Sequence, residues 1–137
     1  MFFLDTNIFV YGFDRDSASK AKRATHLIHQ AVATRKGPVS YQVVQEFFNV
    51  ALRRFAHPIT VADAEQYLGI VFRPLLAVQS SQAIYSEALR LTGKHRLSWY
   101  DALIVAAAME SGCSLLYSEY MQSGQHFGNL RIENPFA

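Results

Sequence analysis

The chain has 137 residues, 50% hydrophobic and 18% charged, which is enough apolar mass for one folded domain and too few charges for a disordered tail. A net charge of +2 gives a slight preference for anionic partners, and a single cysteine, Cys113, excludes an internal disulfide and reads as a small buried residue. No apolar run approaches the roughly 20 residues of a membrane span. Met1-Phe2-Phe3-Leu4 meets Asp5 without a basic leader, so a cytoplasmic protein with no membrane contact is expected.

Phe2-Phe3-Leu4 reads as a short buried strand whose carboxyl end delivers Asp5, Thr6 and Asn7 into a crevice. Gly12 and the Asp14, Asp16, Ser17 cluster form a loop and cap, after which Ala21, Ala24, Leu27, Ile28 and Ala31 recur with helical spacing to about Ala33. Gly37-Pro38 breaks the chain and Val39-Ser40 is a very short strand. Val44, Phe47, Phe48, Ala51 and Phe55 then form the apolar stripe of a helix, with Glu46 beside it. After His57-Pro58, Thr60-x-x-Asp63 starts a third helix that carries Val61, Ala64, Leu68 and Val71 toward Pro74. Leu75 to Val78 reads as a buried strand, Ser80 or Ser81 as a cap, and Ile84, Ala88 and Leu91 as the inner face of a helix ending at Gly93.

Ser98 caps the helix that follows, and from Ala102 to Met109 this helix is apolar on nearly every face, so it belongs at the centre of the fold. Asp101 stands in its first turn, where a carboxylate meets the positive end of the helix dipole. Gly112 stops the helix, Ser114 to Ser118 is another buried strand, and Glu119 follows at its carboxyl end. Met121 to Gly128 reads as a polar loop and Leu130 to Glu133 as an edge strand. Short apolar strands alternating with helices imply an α/β fold in which helices cover both faces of a parallel sheet.

Such sheets bind ligands beyond the carboxyl ends of their strands, so Asp5, Asp101 and Glu119 are expected to converge, and Glu46 can join them. Carboxylates gathered in one crevice repel unless a cation neutralises them. Oxygen-only donors favour Mg²⁺ or Mn²⁺ over zinc, and the chemistry expected of that pairing is hydrolysis of a phosphodiester. Thr6, Asn7 and Ser118 are candidate donors that orient the acids, although Thr and Asn after a strand also suit a plain turn. Lys94 and Arg96 precede the Asp101 helix and are candidate phosphate contacts, as are Arg53 and Arg54; each is equally at home on a solvated face. Trp99, Tyr100 and Tyr11 can stack on bases or belong to the core or a dimer contact. His26, His29, His57, His95 and His126 show no ligand spacing that would make a metal or catalytic site. An aspartyl phosphotransferase is disfavoured, because Asn7 stands where a second Asp would be needed.

Phe3-Leu4-Asp5-Thr6-Asn7, Gln45-Glu46-Phe47, Trp99-Tyr100-Asp101-Ala102 and Leu116-Tyr117-Ser118-Glu119, with Asn134-Pro135-Phe136 at the end, resemble the PIN-domain ribonucleases, most closely VapC toxins of bacterial toxin-antitoxin modules. The resemblance covers essentially the whole chain and implies a single PIN-like domain over residues 1–137, a three-layer α/β/α sandwich around a parallel sheet. It also implies Mg²⁺- or Mn²⁺-dependent cleavage of RNA, a homodimer, and inhibition by a cognate VapB-like antitoxin. Asp5, Glu46 and Asp101 match three family acids; the fourth is expected as Ser/Thr-x-Asp, where Ser118-Glu119-Tyr120 carries Tyr. Either Glu119 then substitutes as a catalytic metal ligand, or the chain is a catalytically weakened PIN fold that binds antitoxin or RNA without cleaving.

Overall fold

In the computed structural model, which describes residues 1–137, the chain forms six strands and six helices, with two helices after each of the first three strands and three strands in succession at the end. The first strand, β1 (Phe2–Leu4), pairs in parallel with β4 (Leu115–Tyr117), and β4 pairs in parallel with β6 (Leu130–Glu133). In register, Leu4 lies opposite Tyr117, and Tyr117 opposite Glu133, so the three strands end at one edge. β2 (Val39–Ser40) and β3 (Leu76–Val78) form a second parallel pair, and Phe2 N donates to Lys36 O at 3.0 Å where the chain enters β2. The expected parallel sheet is therefore present in two pieces.

The carboxyl-terminal part departs from the sequence expectation. His126–Phe127 (β5) lies within the stretch read as a loop, and it pairs antiparallel with β6 across a turn at Gly128, whose φ is 59°. Leu130–Glu133 consequently sits between β4 and β5 and is not the edge. A strand of two residues is too short for alternation to register in sequence.

The helices are α1 (Thr6–Tyr11), α2 (Ala18–Thr34), α3 (Tyr41–Ala51), α4 (Val61–Tyr67), α5 (Gln82–Lys94) and α6 (Trp99–Glu110). A π-helical turn, Leu68–Phe72, extends α4 toward β3. Every residue from Ala102 to Ala108 in α6 is buried, as an all-round apolar helix requires. Phe47 of α3 is the hub of an aromatic cluster with Phe9, Phe13, Phe55, Tyr67 and Phe72, its ring stacked on Tyr67 at 5.0 Å. α2 and the entry to β2 approach so closely that a Cβ on Gly37 would come within 2.5 Å of the Ala31 methyl. Cys113 is buried, and no helix is long and apolar enough to cross a membrane.

Candidate active site

The site begins where β1 ends. Asp5 is both the last residue before α1 and its N-cap: Thr6 N donates to Asp5 Oδ1 at 2.8 Å, which fixes one carboxylate oxygen. The neighbouring strand fixes the other, because Asp5 N donates to Tyr117 O at 3.1 Å and Ser118 Oγ donates to Asp5 Oδ2 at 2.9 Å. Ser118 is completely buried and also accepts from Met121 N at 3.4 Å, so one hydroxyl ties Asp5 to the loop after β4. The short helix α1 had no clear signature in the sequence, since six residues fall short of two turns; the acid that caps it was visible.

Glu46 reaches the same place from α3. Its Oε1 accepts from Thr6 Oγ1 at 3.0 Å and from Gln42 Nε2 at 3.2 Å, and Gln42 Nε2 also donates to Tyr100 O at 3.2 Å. Gln42 thereby links α3 to the first turn of α6, which carries Asp101, and it was not singled out in the sequence. An amide four residues before a helical acid lies on the same face, which was the available signal. At α6 itself Ser98 Oγ accepts from Asp101 N at 3.2 Å, leaving the Asp101 carboxylate outside the cap.

The three acids act on one another electrostatically. Burial pushes the Asp5 carboxyl from 3.8 up to about 6 against the pull of Ser118 and Thr6, and the charges of Asp101 and Glu46 push it the same way. Glu46 is likewise raised by burial, opposed by its bonds from Thr6 and Gln42 and reinforced by the charge of Asp101. No cationic side chain of the protein bonds Asp5 or Glu46.

Glu119 goes elsewhere. Its Oε1 receives Lys20 Nζ of α2 at 2.5 Å, and its side chain is 13% exposed. Burial opposes its ionisation, yet the Lys20 ammonium and the Tyr11 hydroxyl outweigh burial and hold the carboxyl below its ordinary value. The expected convergence of Glu119 with Asp5 and Asp101 is therefore not the arrangement seen, because side chains alternate as the chain leaves β4. Ser118 faces Asp5 and Glu119 faces away toward α2. Glu119 Oε2 is buried without a partner, and the next residue, Tyr120, shares a 3.2 Å hydrogen bond with the Tyr11 hydroxyl.

The remaining candidates are peripheral. Asn7 is half-buried beside Thr6. Lys94, the last residue of α5, and Arg96, in the link to α6, are exposed, and between them His95 packs edge-on against Phe127 at 4.9 Å. Arg53 and Arg54 are exposed in the turn after α3.

Three oxygen-donor acids, two of them, Asp5 and Glu46, raised by burial and neither bonded to a cationic side chain, match the donor chemistry of a hard divalent ion. As they lie, no three carboxylates, imidazoles or thiols stand close enough to hold one. Asp5 and Glu46 are instead oriented by Thr6, Ser118 and Gln42.

A PIN-domain family model matches residues 2–121. Among solved structures, the chain is similar to a toxin-antitoxin complex from Klebsiella pneumoniae, at 18% identity and a TM-score of 0.69 with 98% of each chain covered. It is similar to VapBC2 from Rickettsia felis bound to a DNA fragment from their promoter, at 18% identity and 0.64 over 97% of each chain. The sarcin-ricin loop cleaving toxin VapC20 of Mycobacterium tuberculosis aligns at 21% identity and 0.63, over 96% of this chain and 99% of that one. At such identities the likeness is one of fold. No curated protein matches the sequence.

Proposed function

The chain belongs to the PIN-domain family, and from that premise we propose that it is a divalent-metal-dependent endoribonuclease, the toxin of a toxin-antitoxin pair. The observation that carries this reading is Asp5, a carboxylate raised to about 6 between Asp101 and Glu46 with no protein cation to neutralise it. The surroundings of Asp5 favour an added positive charge, and an RNA phosphate beside the acids needs one as well.

Asp5, Glu46 and Asp101 would hold Mg²⁺ or Mn²⁺, which supplies charge neutralisation at the phosphate and a lowered pKa for the attacking water. Thr6 N and Ser118 Oγ each occupy a lone pair of Asp5, and Thr6 Oγ1 and Gln42 Nε2 occupy two of Glu46, so the remaining lone pairs point in fixed directions. Hydrolysis adds the water oxygen to phosphorus and breaks the bond to the leaving ribose oxygen, which takes up a proton. Lys94 and Arg96 contact flanking phosphates, and the salt dependence of binding reports them.

The partners follow the same reading. An apolar groove of about 300 Å³, lined by Phe13, Ile59, Tyr67, Ile70 and Val71, offers a seat to a VapB-like antitoxin. Tyr85, Leu89, Trp99 and Tyr100, all exposed on α5 and α6, suit a second copy of the chain. Residues 1–137 act as one domain, in the cytoplasm.

The test is cleavage of a mixed structured RNA by the purified protein with Mg²⁺, with Mn²⁺ and with chelator, beside Asp5→Asn and Asp101→Asn. Chelator and either substitution should stop cleavage, and cleavage that survives all three overturns the site. One observation favours a second reading: the loop after β4 commits Glu119 to Lys20 and Tyr120 to Tyr11, supplying no fourth acid. RNA or antitoxin binding without cleavage under every metal condition would establish that reading instead.

A further inference from the structure

Tyr120 stands where a fourth acid is expected, yet the residue is neither buried nor loose. Its side chain belongs to a residue 74% exposed, while its hydroxyl is held by Tyr11 at 3.2 Å. Tyr11 is itself pinned: the Phe136 ring meets it edge to face at 5.0 Å, and the Lys20 ammonium lies 4.9 Å from its centroid. An aromatic face kept open to solvent and fixed at its far end has already lost the freedom that a bound partner would otherwise have to remove.

Its position decides what partner the face fits. Ser118 Oγ bonds both Asp5 Oδ2 and Met121 N, so Tyr120 rides in a tight loop hung on Asp5. Two residues span at most about 7 Å between Cα atoms, so the Tyr120 backbone lies within about that distance of Ser118, the residue bonded to Asp5. The Arg23 guanidinium lies 6.0 Å from the Tyr117 ring, while the Lys20 ammonium beside Tyr11 is paired with Glu119. An open π-face on a loop tied to Asp5, with a guanidinium beside the strand that carries the loop, matches a single-stranded nucleic acid better than a protein side chain.

Resting on the ribonuclease reading above, we propose that Tyr120, braced by Tyr11, is the stacking platform for one unpaired base of the RNA next to the scissile phosphate. Tyr120 thereby sets the register of the strand against Asp5, and the substrate is RNA with an unstacked nucleotide at that position.

The experiment measures binding apart from cleavage, by fluorescence anisotropy of an end-labelled, mixed-sequence single-stranded oligoribonucleotide in chelator. Tyr120→Ala should weaken binding roughly 5- to 100-fold, the worth of one base stack. Tyr120→Phe, which keeps the ring, should stay within about fivefold of the natural chain, and Tyr120→Leu, which keeps bulk without a π-face, should behave like Ala. Moving a single abasic nucleotide along the oligonucleotide should cost affinity at one position in the natural chain and at none in Tyr120→Ala. Equal binding by Tyr120→Ala, or a flat abasic scan in a chain that still binds and cleaves RNA, overturns the platform alone and returns Tyr120 to a protein contact. A chain that binds no RNA overturns both the platform and the ribonuclease reading.

Discussion

Two adjacent strand ends of this molecule each present a carboxylate and treat it in opposite ways. At the end of β1, Asp5 is raised to about 6 by burial and by Asp101 and Glu46, with hydroxyl and amide donors as its only partners. At the end of β4, Glu119 is held below its ordinary value because Lys20 is bonded to it. Leu4 and Tyr117 are register partners, so the two ends share one edge. The difference lies in whether the protein supplies its own cation. Glu119 is neutralised within the protein, whereas the Asp5 group has no protein cation bonded to it.

The largest effect expected from upsetting this contrast is on chemistry at the β1 end. Asp5→Asn should lower metal-dependent cleavage by more than about a hundredfold, since a divalent ion supplies several kcal/mol of transition-state stabilisation. The variant should melt no earlier than the natural chain, because it removes a carboxylate that burial disfavours. The assay is initial cleavage rate beside a thermal melt, and early unfolding would assign Asp5 to the fold.

Next in size is a pH dependence of stability. The folded Asp5 carboxyl titrates at about 6 and its ordinary value is 3.8, so the folded state binds the proton more tightly than the unfolded one. Its contribution is fully present below 3.8 and is lost as pH rises through about 6, by at most about 3 kcal/mol. Melting temperature in chelator should therefore fall between these values, and Asp5→Asn should flatten the fall. Mg²⁺ or Mn²⁺ above that range should restore stability, and a cation that leaves the melt unchanged would contradict the lack of a countercharge at Asp5.

Ser118→Ala comes third. It removes a hydroxyl that donates to Asp5 Oδ2, a bond to a charged group worth about 1.5–3 kcal/mol. Loss of that donor should raise the Asp5 carboxyl further and move the pH midpoint of cleavage upward. Cation affinity, read by titrating Mn²⁺, should weaken about 10- to 100-fold, the usual consequence of losing an orienting partner.

Legibility in the sequence followed the length of each signal. The Ser98-capped helix was readable because seven consecutive buried residues leave no other arrangement, and Asp101 came with it. Asp5 and Glu46 were readable as acids attached to strong elements, a strand end and an apolar stripe. Helix α1 and strand β5 were not, because six and two residues carry too little periodicity. The direction of Glu119 was undecidable for a different reason. Its partner Lys20 lies 99 residues earlier on α2, and only the packing of α2 against the sheet edge brings the ammonium there. Gln42 was missed for the same cause, since its role depends on the carbonyl of Tyr100.

The smallest expected effect sharpens the contrast from the β4 side. Lys20→Met takes away the ammonium and leaves a mostly buried carboxylate whose Oε2 already lacks a partner. The variant should melt a few degrees lower, and the Lys20→Met, Glu119→Gln pair should recover most of the loss, because the amide needs no countercharge. If Glu119 is only structural, cleavage by both variants should follow the natural chain once each is assayed below its melting range. If freeing Glu119 lets it turn toward Asp5, Lys20→Met alone should gain Mn²⁺ affinity and the double variant should lose that gain. The two outcomes separate a carboxylate that stabilises the loop from one held in reserve for the metal, which is the question that Tyr120 in place of an acid leaves at this edge.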